Sequence, residues 1–461
     1  MTESWFLAVA VVVLGLSLAG AAVAASDADA GDPTVEGWTP DVPDVHAAEE
    51  PTDPGVATIG DREYDSLQAA LDDAEPGDTI VLEGRFEERV TVETPGVSLE
   101  ATTTHGALVD GGGAGTVVNV SADDVTLDGL WVHNSGYERS AQDTGLLVNG
   151  SGVTLVDVRV TEVTFGIWIG EATDVTVENA TIVGRAEQSQ SERGNGIHLD
   201  RAEDAVLRDN HITTVRDGIY YSWSDGVVTE RNVMWDLRYG VHYMYSDDNR
   251  LEENVAFDND VGFALMVSEN LTIANNTAVN NAGPSGQGIL VKDVDDSEIR
   301  GNALVANRNG LYVYNAHRNL FADNLLLENE VGMHVTAGSS DERVVGNSFI
   351  GNGQAAHATT NSQVAWNGTA AEGGNYWADA RAIDLDGDGT SEIRHQPAGT
   401  VERLVHENPQ ARAFAASPAF DAVRLAESSF PVVESPGVVD HHPRADPPHE
   451  DWRTYYEHHD H

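Results

Sequence analysis

The chain of 461 residues contains no cysteine. Disulfide staples, thiolate nucleophiles and thiolate metal sites are thereby excluded. Positive charge is nearly as scarce: 25 Lys and Arg stand against 76 Asp and Glu, a formal net charge of −51. Such a surface repels nucleic acid and anionic lipid, so neither is expected as a partner. The acidity runs through every segment, which suits solvation in concentrated salt, where self-repulsion is screened. It reads as halophilic adaptation.

No basic residue precedes Arg62, so the apolar run of residues 5–25 lacks the usual basic leader. The run ends in Ala22-Val23-Ala24, a small-residue pattern that suits cleavage, and it is also long enough to span a bilayer. Residues 1–25 are read as a signal peptide or a retained N-terminal membrane anchor, the only segment expected to meet the membrane. Either places the body outside the cytoplasm, at or beyond the cell surface. Residues 26–55, rich in Asp, Glu, Pro and Ala, bury little and read as an acidic disordered linker.

What the chain does have is a period. Gly followed by an apolar residue recurs at Gly196, Gly218, Gly240, Gly262, Gly288, Gly310 and Gly332, at intervals of 22, 22, 22, 26, 22 and 22. A second series keeps the step: Asn210, Asn232, Asn254, Asn276, Asn302, Asn324 and Asn347. A fixed period in this range marks units that bury a core only by stacking. Short alternating runs such as Val241–Tyr243, bounded by Gly, Asn and Asp, are strand signals. The expected fold is all-β: a right-handed parallel β-helix of about 22 residues per coil over residues 56–395. The Asn series is expected to form an inward amide ladder at a bend that needs left-handed backbone. An amphipathic helix over residues 65–74, stopped by Pro76-Gly77, should cap the N-terminal end.

Alternation also sorts the faces. Positions two and four after each Gly point outward, giving the pairs His198/Asp200, Tyr220/Ser222, His242/Met244, Ala264/Met266, Leu290/Lys292, Tyr312/Tyr314 and His334/Thr336. A solvated face in so acidic a chain would carry Asp, Glu and Thr; this one carries His, Tyr and Met. Thioether and imidazole suit copper, and thioether favours Cu(I). His242, Met244, Met266 and His334 are the copper candidates, with Met266 expected one coil above Met244. The same residue types concentrate at protein interfaces, so Tyr220, Tyr245, Lys292, Asp293, Tyr312 and Tyr314 are candidates for partner binding. Ligation and docking stay open at this point.

Past residue 349 the period fades. Asp384, Asp386 and Asp388 with Gly389 match the front half of a calcium loop, although position twelve is His395 instead of Glu. An acidic closing turn is the other reading. Residues 396–430 form a C-terminal extension with a short helix expected over 409–427. Residues 431–461 read as a disordered tail, whose His441, His442, His449, His458, His459 and His461 could sequester copper, nickel or zinc.

Three classes suit this pattern: metallocentre assembly, a polysaccharide lyase or epimerase acting on an acidic glycan, and a passive surface adhesin. For the second, Lys292-Asp293, Tyr312 and His334 are the one assembly resembling a base beside a carboxylate-neutralising cation. The runs Arg238-Tyr239-Gly240-Val241-His242-Tyr243-Met244-Tyr245-Ser246, Val261-Gly262-Phe263-Ala264-Leu265-Met266 and Gly288-Ile289-Leu290-Val291-Lys292-Asp293 resemble the NosD family, as does Gly374-Asn375-Tyr376-Trp377 with the Asp384–Gly389 loop. The resemblance spans residues 57–445. It implies a non-enzymatic, extracytoplasmic factor for nitrous-oxide reductase maturation. Such a factor assists assembly of a copper–sulfide centre with an ABC-type ATPase and permease pair and a copper chaperone.

Overall fold

The computed structural model describes residue 40 and residues 42–336, 338–358, 364–369, 372–380, 382–397, 417–420 and 438–456. Each regular coil has one long strand and two short ones; Tyr239–Met244, Arg250–Glu252 and Val255–Phe257 make one coil, and Val261–Glu269, Thr272–Ala274 and Thr277–Val279 the next. Every coil pairs in parallel register with its successor, so Val241 sits under Phe263, Leu251 under Ile273 and Ala256 under Ala278. Twelve long strands form one broad sheet; the short strands form the other two faces. The product is a parallel β-helix with Ile219, Val241, Phe263, Ile289, Leu311 and Met333 fully buried along its axis.

The Gly series has a steric cause. A Cβ on Gly218, Gly240, Gly262, Gly288 or Gly310 would meet the next coil's Gly carbonyl oxygen at 2.4–2.8 Å. The coils approach too closely there for a side chain. The Asn series forms the expected ladder, with Asn232 Nδ2 donating to Asn254 Oδ1 (2.9 Å), Asn254 to Asn276 (3.0 Å) and Asn276 to Asn302 (3.0 Å). The left-handed backbone is not theirs, however. It belongs to the preceding residue: Asp209, Arg231, Glu253 and Asn275, at φ of 53–56°. Asn is required for its amide, which accepts from the coil before and donates to the coil after. A second ladder, Asn259–Asn281–Asn307–Asn329–Asn352, follows the next corner.

At a third corner the ladder ends on a carboxylate. Glu342, only 1 % exposed, accepts from Asn319 N at 3.0 Å and from its Nδ2 at 3.3 Å. Burial pushes its pKa up to about 7; Asp295 and Asp341 add to this, and the Asn319 donors pull it back. The folded chain therefore holds a proton between the ordinary value of 4.5 and about 7 that the unfolded chain has released. Stability from this group is full below the lower value and lost as pH rises through the upper one. At ~1.4 kcal/mol per unit the loss is on the order of 3 kcal/mol. Glu342→Gln, a neutral amide like the rungs below, is expected to remove this slope and raise the melting temperature at pH 8 but not at pH 4.5. Parallel melting curves at both pH values would refute the assignment.

The N-terminal end is covered by the helix Leu67–Asp73, capped by Ser66, whose side chain accepts from Ala69 N. Leu67, Ala70 and Leu71 face the first coil. Residues 42–55 do not behave as the expected disordered linker. Val45 is buried, its carbonyl accepts from Arg159, and Glu50 pairs with Arg85. The tail is corrected likewise over 438–456. Asp440, fully buried, accepts from Trp377 Nε1 (2.9 Å) and Asn375 N (2.7 Å), while Trp377 stacks on Phe349 at 4.2 Å. Trp452, Tyr455 and Tyr456 then lie on an outer apolar stripe that includes Phe257, Val279, Val305 and Leu327. The open end of the core and this stripe need cover, and the tail supplies it. The N-terminal run and the helix expected over 409–427, apart from 417–420, lie outside the described residues.

Candidate functional site

Three insertions among the described residues fall at one corner, between the second short strand of a coil and the next strand of the broad sheet. They are residues 134–143, 185–196 and 280–286, and they flank one edge of that sheet. Projection of repeat insertions on one side marks the side available to partners and ligands.

Register places the outward residues of the broad sheet in columns. The first runs Trp168, His198, Tyr220, His242, Ala264, Leu290, Tyr312, His334 and His357. Its rings pack on one another, with Trp168 flat on His198 (3.7 Å) and Tyr220 at 4.8 Å from both His198 and His242. Tyr312, His334 and His357 continue edge to face at 5.0 and 4.9 Å after the Ala264–Leu290 gap. The column points outward as expected but is not openly exposed, because each ring covers the next. His198 is pushed down to about 3 by burial and stays neutral. His334 is lowered by burial and then by His357, and its buried Nε2 makes no hydrogen bond among the described residues.

His242 is the most enclosed, at 8 % exposure. Its Nδ1 lies 3.1 Å from Asp217 Oδ2. A carboxylate only accepts, so Nδ1 donates to it, and Nε2 is buried with no hydrogen-bond partner among the described residues. Arg238 grips the same Asp217 through Nε at 2.8 Å and a terminal nitrogen at 2.5 Å, and its guanidinium lies over Tyr239 at 4.2 Å. Despite its burial, Asp217 is held below the usual carboxylate range by the His242 and Arg238 hydrogen bonds. Asp217 and Arg238 were not singled out from the sequence. Asn195 beside His198 and Gln354 beside His357 gave a local signal, a polar residue three before the imidazole, but Asp217 reaches His242 across coils.

The second column runs Ser222, Met244, Met266, Lys292 and Tyr314. Register is fixed as far as His242 on Ala264, and the offset of 22 puts Met266 at the position equivalent to Met244 on the next coil, both half-buried. Lys292, the chain's single lysine, follows directly. The corner beside this column carries Trp223 and Tyr245, stacked at 4.6 Å and exposed by 59 % and 42 %. Trp223 was missed because its sequence signal, a lone Trp before Ser, looks like a turn. Asp293 occupies the same corner, and its carboxylate accepts from Asn315 at 2.5 Å. Tyr314 is exposed, whereas Tyr220 and Tyr312 are half-covered by the first column.

The oxygens of Asp384, Asp386 and Asp388 come within 4.8 Å of one another on an exposed loop. Gly387 and Gly389 donate to Asp384 at 2.6 and 3.0 Å, and Thr390 donates to Asp388 at 2.8 Å. His441 and His442 from the tail line the same hollow. Hard oxygen donors of this kind fit calcium; the sulfur and imidazole donors of the broad sheet fit Cu(I).

Fold and face together define a parallel β-solenoid whose broad sheet presents rings, thioethers and a buried carboxylate–imidazole pair. Within that class, the chain belongs to the NosD family. The model of that family, described as periplasmic copper-binding protein (NosD), matches residues 179–382. A Pseudomonas aeruginosa protein named probable ABC transporter binding protein NosD is 37% identical over 406 residues, covering 84% of this chain and 92% of its own. A protein of the same name from Stutzerimonas stutzeri is 35% identical over 378 residues, covering 78% and 85%. Among solved structures, the A-module of a mannuronan C-5 epimerase from Azotobacter vinelandii aligns with TM-score 0.52 at 15% identity, over 65% of this chain and 92% of that module. An alginate lyase bound to a trisaccharide aligns with TM-score 0.53 at 16% identity, over 65% and 80%. These two likenesses concern the fold.

Proposed function

We propose that the protein is an extracytoplasmic, non-enzymatic accessory factor that handles copper for maturation of nitrous-oxide reductase. In this reading it helps assemble that enzyme's copper–sulfide centre beside an ABC transporter and a copper chaperone. The carrying observation is the recurrence of Met at equivalent outward positions of adjacent coils, Met244 beside Ser222 and Met266 beside Lys292, next to the imidazole column. Two thioethers on adjacent coils supply soft donors that favour Cu(I). Family membership supports the reading, since the family is described as periplasmic and copper-binding and the relatives are named for an ABC transporter. Among the described residues no helix is long and apolar enough to cross a membrane.

Met244 and Met266 are the copper ligands in this proposal; His334 lies three coils beyond Met266, about 14 Å along the axis at ~4.8 Å per coil, and cannot share their ion. His242 joins them through Nε2 only against the positive charge of Arg238. Trp223, Tyr245, Lys292 and Tyr314 surround the thioethers and form the docking surface for the reductase or chaperone, aromatic anchors being frequent interface hot spots. Asp384, Asp386 and Asp388 form a calcium-stabilised closing loop.

Met244 and Met266 changed together to Leu are expected to abolish competition with a Cu(I) chelator. Leu keeps the volume and removes the sulfur. Because Asp440 seals the solenoid's end, the tail should be kept and only its His residues 458, 459 and 461 removed. A variant that still competes as well as the parent would exclude the thioethers as ligands. Tyr245→Ala and Trp223→Ala should then be tested for reductase binding.

A further inference from the structure

Left-handed backbone favours Gly, Asn and Asp, and bulky side chains carry a steric cost there. At the corner that follows the broad sheet, the left-handed position runs Glu171, Arg201, Trp223, Tyr245, Val267, Asp293 and Asn315, at φ of 50–56°. Three consecutive coils thus place Trp, Tyr and β-branched Val where Asp and Asn serve further on. Such strain clusters at functional sites. Burial does not account for it here, since Trp223 is 59 % exposed and Tyr245 42 %. The two rings lie nearly flat on one another, 4.6 Å apart. Among the described residues no arginine lies over either ring, whereas Trp131, Tyr137 and Tyr239 each carry one.

A second row runs beside the rings. Two residues after each bulky side chain comes a carboxylate: Asp225 after Trp223, Asp247 after Tyr245 and Glu269 after Val267, with Glu203 on the coil before. The residue between is a buried serine, Ser224, Ser246 or Ser268. The side chains flanking it therefore stand on the outside, their Cα atoms at most about 7 Å apart. Register holds from coil to coil: Glu203 bridges Asp225, Asp225 accepts from Asp247 N at 2.8 Å, and Asp247 accepts from Glu269 N at 2.8 Å.

Like charges stacked in this way repel. Burial raises the Asp247 carboxyl, and Asp225 and Asp248 add to it. The arginines nearby are engaged elsewhere, Arg201 with Glu171 and Asp200, Arg231 with Asp209 and Glu230, and Arg250 with Glu252. Among the described residues no cation pairs with Glu203, Asp225, Asp247 or Glu269. Rings without a cation thus lie beside carboxylates without a counter-charge. An arginine side chain suits both, because its planar guanidinium stacks on aromatic faces and its fork pairs with carboxylates.

We propose that this corner docks a partner protein through an exposed arginine-bearing segment. Its guanidinium groups stack on Trp223 and Tyr245 and pair with Asp225, Asp247 and the flanking Glu203 and Glu269. Lys292 lies one coil past Met266, beyond the ring pair, and marks where the cationic segment ends. It rests on the reading of Trp223 and Tyr245 as a docking surface and adds what the partner must carry; no metal takes part.

The test is calorimetric titration of the full chain in molar KCl with acetyl-tetraarginine amide, and with acetyl-tetraglycine amide as the blank. At that salt the screening length is about 3 Å, so diffuse attraction to the acidic surface is suppressed and direct contacts remain. Tetraarginine should bind saturably and tetraglycine should not. Trp223→Asn with Tyr245→Asn should weaken tetraarginine about tenfold. Asn315 already occupies the equivalent left-handed position, so that variant keeps the backbone. Glu203→Lys with Glu269→Lys should weaken it about fivefold. Glu100→Lys with Asp128→Lys, the same charge change on an exposed part of a short-strand face, should leave binding unchanged. No saturable binding by the parent, undiminished binding by the Asn variant, or equal weakening by the two Lys pairs would each overturn the proposal. Binding of nitrous-oxide reductase to the same Asn variant separates the two readings. If it weakens although tetraarginine never bound, the docking surface stands and the cationic partner falls. If tetraarginine binds as expected and reductase binding is unchanged, the corner serves a different arginine-bearing partner.

Discussion

Asn276→Ala is expected to lower the stability of the folded chain by about 4 kcal/mol. Asn276 is fully buried. Its Oδ1 accepts from Asn254 N at 2.9 Å and from Asn254 Nδ2 at 3.0 Å, and its Nδ2 donates to Leu251 O at 2.7 Å and to Asn302 Oδ1 at 3.0 Å. Alanine removes both halves of the amide. The Asn254 backbone N–H is left buried and unpaired, costing roughly 1–3 kcal/mol, and the Leu251 carbonyl, which also stands in the sheet ladder, loses its side-chain donor. A cavity the size of the amide adds to this. In a solenoid the loss also falls on the interface between neighbouring coils, where cooperativity resides. Chemical denaturation in molar salt reads the effect. A midpoint within error of the parent would mean that the ladder is incidental to stability.

Lowering salt from 1 M to 0.1 M is expected to drop the melting temperature by on the order of 10 °C or more. The screening length grows from about 3 Å to about 10 Å over that range, while adjacent coils stand about 4.8 Å apart. Stacking by a fixed register puts like charges on successive coils. Asp236 is raised by burial and by Asp258 one coil on, and Asp247 by burial and then by Asp225 and Asp248. Cross-coil pairs such as Arg231–Asp209 and Arg318–Asp296 offset part of this, but exposed pairs are worth little. A melting temperature independent of salt would dismiss the halophilic reading of the composition.

Much of the architecture was legible because a solenoid repeats its constraints. Gly218, Gly240 and Gly262 recur since each meets the same carbonyl one coil away. Asn232, Asn254 and Asn276 recur since each amide must match the next. Local pattern and long-range contact coincide when every contact is with the neighbouring repeat. The outward direction of His242, Met244, Met266 and Tyr312 followed from the same alternation.

Where the chain departs from repetition, sequence was a poorer guide. Val45, Asp440 and Trp452 lie in segments whose composition suggests disorder, yet they are ordered by an edge and a stripe that other segments create. Composition describes what a segment can bury by itself, and these segments bury surface that is not their own.

The sequence by itself determined the β-helix, its 22-residue period, the capping helix and the ring and thioether face, because each rests on spacing within or between adjacent coils. Only the tertiary structure decided that the rings cover one another and that His242 is bound to Asp217 with Arg238 alongside. These depend on side-chain directions at a corner where coils approach closely at Gly218 and inserted loops adjoin the sheet. No periodicity encodes the meeting of an imidazole with a carboxylate 25 residues earlier in the chain.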